Sequence, residues 1–125
     1  MSINPNSLYE RLGGRHTINE AVDNLYNRIF NDEKLVPFFE NVNPDKQAQK
    51  QIAFMTVAFG GPGNYSGEYM RSKHAPLISK GLNDEHVDIF ISHFKDTLRE
   101  LGIENDLIEE AAEVANSYRH DVLNR

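Results

Sequence analysis

Apolar side chains recur at helical spacing along most of the chain, and no segment shows the two-residue alternation of a convincing β-strand. The recurring positions fall at i, i+3, i+4 and i+7, which places them on one face of an amphipathic helix. Three such stripes stand out: Ile18, Ala21, Val22, Leu25, Tyr26 and Ile29; Val87, Phe90, Ile91, Phe94, Leu98 and Leu101; and Ile108, Ala111, Ala112, Ala115 and Tyr118. The pattern predicts an all-α fold with about four substantial helices and several short ones.

Capping residues and glycines mark where the predicted helices begin and end. The start signals are two capping boxes, an Asn-Pro pair and a lone asparagine: Ser7 with Glu10, Thr17 with Glu20, Asn43 with Pro44, and Asn83. Glycines at 13–14, 60–61, 63, 81 and 102 predict the ends. Residues 31–42 are expected to form no more than one or two helical turns. Residues 60–68 predict a loop, and residues 69–80 a segment that is helical only in part.

The helix predicted from Pro44 to Phe59 has two neighbouring stripes of different character. Ala48, Ile52, Met55 and Phe59 form an ordinary core face. Gln47 and Gln51 align with Phe54 and Ala58 beside that face. Either this second stripe is a solvated surface interrupted by one phenylalanine, or two amides face inward and need hydrogen-bond partners. Tyr26 poses the same choice, between a core tyrosine that reaches water and a buried donor aimed at a small polar ligand.

His74 is the histidine with the most unusual local context. It precedes Ala75-Pro76 and follows the glycine-rich loop, so the chain is expected to bend near it, where a loop meets a helix. From the residues alone, both a structural and a metal-ligand role stay open. His86 and His93 are expected to be exposed, and their separation of seven residues lacks the spacing of a zinc site on one helix face. His16 and His120 have no specific signal.

Composition excludes several classes of protein. The 125 residues suit a single domain spanning 1–125, and the net charge of −6 with scattered lysines and arginines argues against a nucleic-acid or anionic-membrane partner. Without cysteine there is no disulfide, iron–sulfur cluster or thiolate zinc site. The "GGPG" sequence lacks the context of a phosphate loop, and no serine elbow points to a hydrolase. The expectation is a soluble cytoplasmic domain.

Several motifs together resemble one family, the truncated (two-over-two) haemoglobins of group I. The similarity runs through "SLYERLGG", "AVDNLYNRIF", "FFENV", "DKQAQKQIAF", "AFGGPGNYSGEYM", "KHAPL", "GLNDEHVD" and "HDVLNR". The resemblance implies four main helices packed two over two around haem b, with a largely irregular segment in place of the long proximal helix of a full globin.

The resemblance also implies roles for individual residues. His74 matches the proximal histidine that ligates the iron, and Phe39 matches a phenylalanine packed on the haem face. Tyr26, Gln47 and Gln51 match the distal polar cluster, which hydrogen-bonds the ligand. The remaining haem contacts implied are Tyr65 and Met70.

Two regions depart from some members of the family. Lys50 occupies a position where certain relatives have an iron-ligating histidine; its amine could ligate only when deprotonated, and a salt bridge to a haem propionate is slightly favoured. Lys46 is a second candidate for a propionate. Some relatives bond a tail histidine covalently to a haem vinyl group. Here Tyr118 lies nearer that position and His120 is displaced, so no crosslink is expected.

The function implied is reversible binding of oxygen and other diatomic ligands, such as nitric oxide and carbon monoxide, by a monomer. One alternative is a nitric oxide dioxygenase, in which bound oxygen converts nitric oxide to nitrate and an external reductase restores ferrous iron. A third reading, from another class, is a cofactor-free helical interaction module. This last reading predicts that His74, Tyr26 and both glutamines can be replaced without effect on folding.

Overall fold

A computed structural model describes residues 6–125, and over that range the chain forms helices and no strand. The helices are α1 (Leu8–Leu12), α2 (Gly14–Phe30), a short 3-10 helix (Val36–Phe39), α3 (Pro44–Ala58), α4 (Gly67–Ser79), α5 (Asp84–Glu100), α6 (Asn105–Asn116) and α7 (Arg119–Val122). The prediction of an all-α fold is confirmed. The predicted domain includes residues 1–5, which lie outside the described residues. No helix between residues 6 and 125 is long and apolar enough to cross a membrane.

Most of the predicted caps are present. Ser7 Oγ accepts a hydrogen bond from the Glu10 amide at 3.1 Å, and Asn43 Oδ1 accepts one from the Lys46 amide at 3.1 Å. Asn83 caps α5 through its side chain. The predicted cap at Thr17 is wrong, because α2 begins three residues earlier, at Gly14. A φ of 119° at Gly13 reverses the chain within one residue, so α2 starts directly after α1.

Helix α4 differs from the prediction most strongly. The partial helix expected at 69–80, and the irregular segment that the family resemblance implied, are both wrong: Gly67–Ser79 is a continuous helix, capped by Ser66. His74 therefore lies within a helix and not at a junction with a loop. Pro76 sits in the second half of this helix, where it removes one backbone hydrogen bond and the rest of the helix persists.

The core forms around α2, which packs against α3 and α5, while α5 also packs against α6. All six residues of the predicted α2 stripe are buried, and Leu25 and Ile29 are completely so. Phe59, at the end of α3, stacks on Phe94 of α5 with ring centroids 5.9 Å apart. The hydrophobic pattern of α2 thus predicted its buried face correctly.

The C-terminal segment packs against α4. Asp121 accepts hydrogen bonds from the Tyr65 hydroxyl at 2.5 Å and from the Arg71 guanidinium at 3.3 Å. Asn124 donates to the Arg71 carbonyl at 2.9 Å. Tyr118 packs edge-on against Tyr65, with ring centroids 4.9 Å apart. We call these contacts the C-terminal clasp, and they hold the C-terminal segment against α4.

Candidate functional site

Tyr26, Gln47 and Gln51 lie together between α2 and α3. Tyr26 is only 6% exposed, and its hydroxyl lies 3.4 Å from Gln51 Oε1 and 3.4 Å from the Gln47 carbonyl, to either of which it can donate. Gln47 and Gln51 are both half-buried. Of the two readings of the glutamine stripe, the structure favours the inward-facing one over a solvated surface.

Burial raises the pKa of Tyr26 to about 12, against a smaller opposing effect of a hydrogen bond with the Gln47 side-chain amide. The hydroxyl therefore keeps its proton at neutral pH. A protonated tyrosine beside two amides gives a compact group of hydrogen-bond donors in a largely apolar environment.

His74 is half-buried on α4, and its ring has a defined tautomer. Nδ1 lies 2.8 Å from the Met70 carbonyl oxygen. Since a carbonyl can only accept, Nδ1 carries the hydrogen and the lone pair of neutral His74 is on Nε2. Burial lowers the pKa of His74 below 6.5, and the nearby Lys73 charge lowers it further, while the hydrogen bond to Met70 opposes both. The result is a neutral imidazole with one nitrogen available to a metal.

Phe39 joins an aromatic group with Tyr26 and Phe30. Its ring centroid lies 6.0 Å from that of Tyr26 and 5.9 Å from that of Phe30. The 3-10 helix thus brings Phe39 to the same side of α2 as the tyrosine hydroxyl. The sequence pattern alone could not show this proximity, because the segment before Phe39 is too short and irregular to have a helical face.

Lys73 is a residue of the site that the sequence did not single out. Its Nζ donates to Gln47 Oε1 at 3.1 Å, so a side chain of α4 reaches α3. It also lies 5.9 Å from the centre of the Tyr69 ring. Desolvation lowers the pKa of Lys73, and the charge of Lys50 lowers it further. Lys73 directly precedes His74, but nothing in the local pattern predicts which way its side chain turns.

The other predicted haem contacts lie outside the polar cluster. Lys46 and Lys50 are exposed on α3. Tyr65 is 37% exposed and belongs to an aromatic group with Phe54 and Tyr118. Met70 is half-buried on α4 and contacts His74 through its backbone carbonyl.

Two other histidines differ from expectation. His86 was expected to be exposed, but it is half-buried, caps α5 by accepting from the Asn83 amide at 3.1 Å, and packs against Phe38. His93 was also expected to be exposed; its side chain is 23% exposed, and Nε2 lies 2.6 Å from an Asp32 carboxylate oxygen. Both histidines contact the segment after α2, which a helix-face argument does not take into account.

Two apolar faces, on α5 and on α4, are covered only in part by other residues. On α5 the second half of the stripe is buried at Phe94 and Leu98, whereas the first half, at Val87, Phe90 and Ile91, is only half-buried. On α4 no described residue is fully buried, although Leu77 and Ile78 follow His74 by three and four residues. Protein atoms alone leave these faces partly uncovered. The residues present fit a planar, largely apolar group that is ligated by an imidazole.

Comparisons with known proteins agree with this geometry. The profile of the family described as "Bacterial-like globin" matches residues 7–124. The group 1 truncated haemoglobin GlbN of a Synechocystis species is 44% identical over 122 residues, which cover 95% of this chain and 98% of that one.

Solved structures are similar over the same length. The 2/2 haemoglobin from Synechococcus sp. PCC 7002, in a cyanomet state and with covalently attached haem, has a TM-score of 0.89 at 41% identity and covers 95% of this chain and 99% of its own. The truncated haemoglobin from Tetrahymena pyriformis, in its Fe(III) form, has a TM-score of 0.86 at 36% identity, with 94% and 98% covered.

An all-helical chain with an available imidazole, partly uncovered apolar faces and these structural neighbours is a globin of the two-over-two class. The chain belongs to the group 1 truncated haemoglobins. Its cofactor is haem b, and it binds diatomic ligands. The predicted family, fold and cofactor are confirmed, and the assignment favours the haem protein over the cofactor-free interaction module.

Proposed function

We propose that this chain binds oxygen reversibly, with His74 as the iron ligand and Tyr26, Gln47 and Gln51 as hydrogen-bond donors to the ligand. The observation that supports it most directly is the buried Tyr26 hydroxyl, held within 3.4 Å of both the Gln51 amide oxygen and the Gln47 carbonyl. Such a group has little use in a core, where an apolar side chain would pack at lower cost.

When bound, haem supplies an iron atom that takes a diatomic ligand. The chain supplies the surroundings. His74 offers Nε2 while Met70 holds the ring orientation through Nδ1–H, and Phe39 offers an aromatic surface for packing. Tyr26 stays protonated, because burial raises its pKa to about 12, and its hydroxyl donates toward partial negative charge on the ligand.

We further propose that Lys46 and Lys50 pair with the haem propionates. Both lie on the exposed side of α3. A lysine amine ligates iron only when deprotonated, which burial promotes, and the exposure of Lys50 supports the salt bridge over ligation. A pH titration of the ferric absorption spectrum of Lys50→Ala against the parent protein tests this choice. An alkaline transition present only in the parent would favour ligation.

Oxygen dissociation from Tyr26→Phe tests the distal assignment. A donor hydrogen bond to a partly charged acceptor is worth about 1.5–3 kcal/mol, so its loss should speed oxygen release by about ten- to a hundredfold. Stopped-flow mixing of the oxygen-loaded protein with an oxygen scavenger gives the rate. Tyr9→Phe is the matched control, since Tyr9 is also buried but lies in α1.

Carbon monoxide provides an internal comparison in the same variants. It carries less negative charge than bound oxygen, so Tyr26→Phe should change its dissociation less. Equal changes for both ligands would indicate a steric effect of the substitution. An unchanged oxygen rate in Tyr26→Phe would remove Tyr26 from the distal site.

The same pocket supports turnover of nitric oxide as an alternative use. The oxygen-loaded ferrous protein would convert nitric oxide to nitrate and become ferric, and an external reductase would return the electron. Anaerobic mixing of the oxygen-loaded protein with nitric oxide measures this step through the ferric spectrum. A slow reaction would count against a detoxifying role and leave reversible binding as the function.

A further inference from the structure

Lys73 makes a contact that joins the two sides of the site. It lies on α4 next to His74, and its Nζ donates to Gln47 Oε1 on α3 at 3.1 Å. Lys73 has no carboxylate within ion-pair distance among the described residues, unlike Lys34 and Lys95, which pair with glutamates. Its charge is therefore directed to an amide oxygen.

The contact fixes the orientation of the Gln47 amide. An ammonium group can only donate, so the atom facing Lys73 must be the oxygen. The NH₂ group of Gln47 then remains as the donor end of the side chain. If the amide turned over, it would present its NH₂ to the lysine and its oxygen to the ligand, and both contacts would be unfavourable.

We propose that Lys73 is a positioning residue that holds Gln47 as a hydrogen-bond donor to the bound ligand and thereby slows oxygen release. The inference rests on the proposed distal role of Gln47. Lys73, on the helix that carries His74, would thus influence the ligand from the opposite side of the site. Lys73 acts through the amide and is not itself expected to touch the ligand.

The neighbours of Lys73 allow this role. Lys50 lies close enough for its charge to act on Lys73, and the Tyr69 ring lies 5.9 Å from Nζ. The aromatic face and the amide oxygen together offer the ammonium group two favourable contacts. Lys80, an exposed lysine at the C-terminal end of α4, serves as the control lysine on the same helix.

A double-mutant cycle on the haem-loaded protein tests the proposal. Oxygen dissociation is measured by stopped flow for Lys73→Met, Gln47→Leu and the double variant, with Lys80→Met as control. Lys73→Met should release oxygen about three- to tenfold faster, the range expected when one directed donor is lost. In the Gln47→Leu background the same substitution should have no effect. Lys73→Arg, which keeps the donor, should restore slow release.

A spectroscopic measurement accompanies the kinetics. In the diamagnetic ferrous carbon monoxide form, the Gln47 side-chain NH₂ resonances are identified by their loss in Gln47→Leu. Lys73→Met should shift these resonances, while Lys80→Met should leave them in place. A merely structural role of Lys73 would instead shift backbone resonances of α4.

The outcomes separate this inference from the proposed function. If Gln47→Leu speeds oxygen release but Lys73→Met does not, the inference is overturned and the distal site stands. If neither Gln47→Leu nor Tyr26→Phe changes the rate, the proposed distal site itself fails. If Lys73→Met acts equally in both backgrounds and speeds haem transfer to an acceptor protein, Lys73 contacts the cofactor, and the positioning role is wrong.

Discussion

A single tyrosine shows how strongly burial alters a side chain at this site. Tyr26 belongs to the apolar stripe of α2 and is 6% exposed, yet it places its hydroxyl at the edge of the core. Desolvation penalises the tyrosinate, which explains why the pKa of Tyr26 rises to about 12. The hydroxyl is thereby kept as a donor at any pH a cell reaches.

The raised pKa predicts late ionisation of Tyr26. In an absorbance titration of the haem-loaded protein, the difference between the parent and Tyr26→Phe should have its midpoint near 12. The protonated Tyr26 stabilises the folded state fully below its unfolded pKa of 10.0. This contribution is lost as the pH rises through the higher pKa of the folded state. A difference midpoint close to 10 would contradict the buried environment.

The residues of the site were predictable to different degrees. Tyr26, Gln47 and Gln51 follow from helical periodicity combined with family motifs, because long regular helices fix which side chains share a face. Lys73 did not follow, since its role depends on a long flexible side chain crossing between two helices. His93 was misjudged for a related reason: its partner Asp32 lies 61 residues away in an irregular segment.

Among the helices, prediction succeeded where both a cap and a stripe were present. Helices α3 and α5 have an asparagine cap and begin where expected. Helix α4 was misjudged because glycine and proline weaken its local propensity. The Ser66 cap, where Ser66 Oγ accepts from the Tyr69 amide, and the C-terminal clasp are tertiary features that a propensity argument omits.

The turn between α1 and α2 predicts a stability difference between two glycine substitutions. A Cβ at Gly13 would lie 2.0 Å from Thr17 Oγ1 and would require a φ of 119°. At Gly81 the φ is 100° but nothing lies within 4 Å. Gly81→Ala should therefore cost about 1 kcal/mol of unfolding free energy from backbone strain alone, and Gly13→Ala should cost about 1–2 kcal/mol more.

Guanidinium unfolding of the haem-loaded ferric variants at equal haem concentration measures both costs. Equal losses for the two variants would mean that Thr17 moves aside freely. In that case the close approach at Gly13 would contribute nothing to the requirement for glycine.

At the scale of the whole molecule, Asp32 and His93 join the segment after α2 to α5. The hydrogen bond from His93 lowers the pKa of Asp32 below 3.8, aided by the Lys34 amide and opposed by desolvation. A carboxylate whose pKa is lowered on folding stabilises the fold when the pH is above its unfolded pKa. This contribution is lost as the pH falls through the pKa of the folded state.

Comparing Asp32→Asn with the parent between pH 3 and 7 tests this link. The parent should be more stable by about 1 kcal/mol near neutral pH, and the difference should shrink as the pH falls below about 4 toward the lowered pKa of Asp32. Far-ultraviolet circular dichroism in guanidinium gives the midpoints. Asp23→Asn, which changes an exposed carboxylate on α2, is the control. A difference that stays constant down to pH 3 would show that the pair contributes through packing and not through charge.

The fold as a whole was the most predictable level. Three apolar stripes and the absence of strand periodicity were enough for an all-α architecture, since each stripe must be buried against another helix. The same reasoning could not predict that the stripe of α5 would be buried at one end and only half-buried at the other. That difference depends on where the neighbouring helices stop.

The C-terminal clasp has a consequence for how the protein exchanges its cofactor. Helix α4 has no fully buried residue among Gly67–Ser79, and it is fastened mainly by its contacts with α7 and by the polar bonds of Arg71. We expect α4 and α7 to open together as one local unit, at a lower free energy than the core of α2 and α5. Amide hydrogen exchange should therefore be fastest in these two helices and should slow when haem occupies the protein. When α4 and α7 open, haem can enter and leave the protein while the remaining helices stay folded.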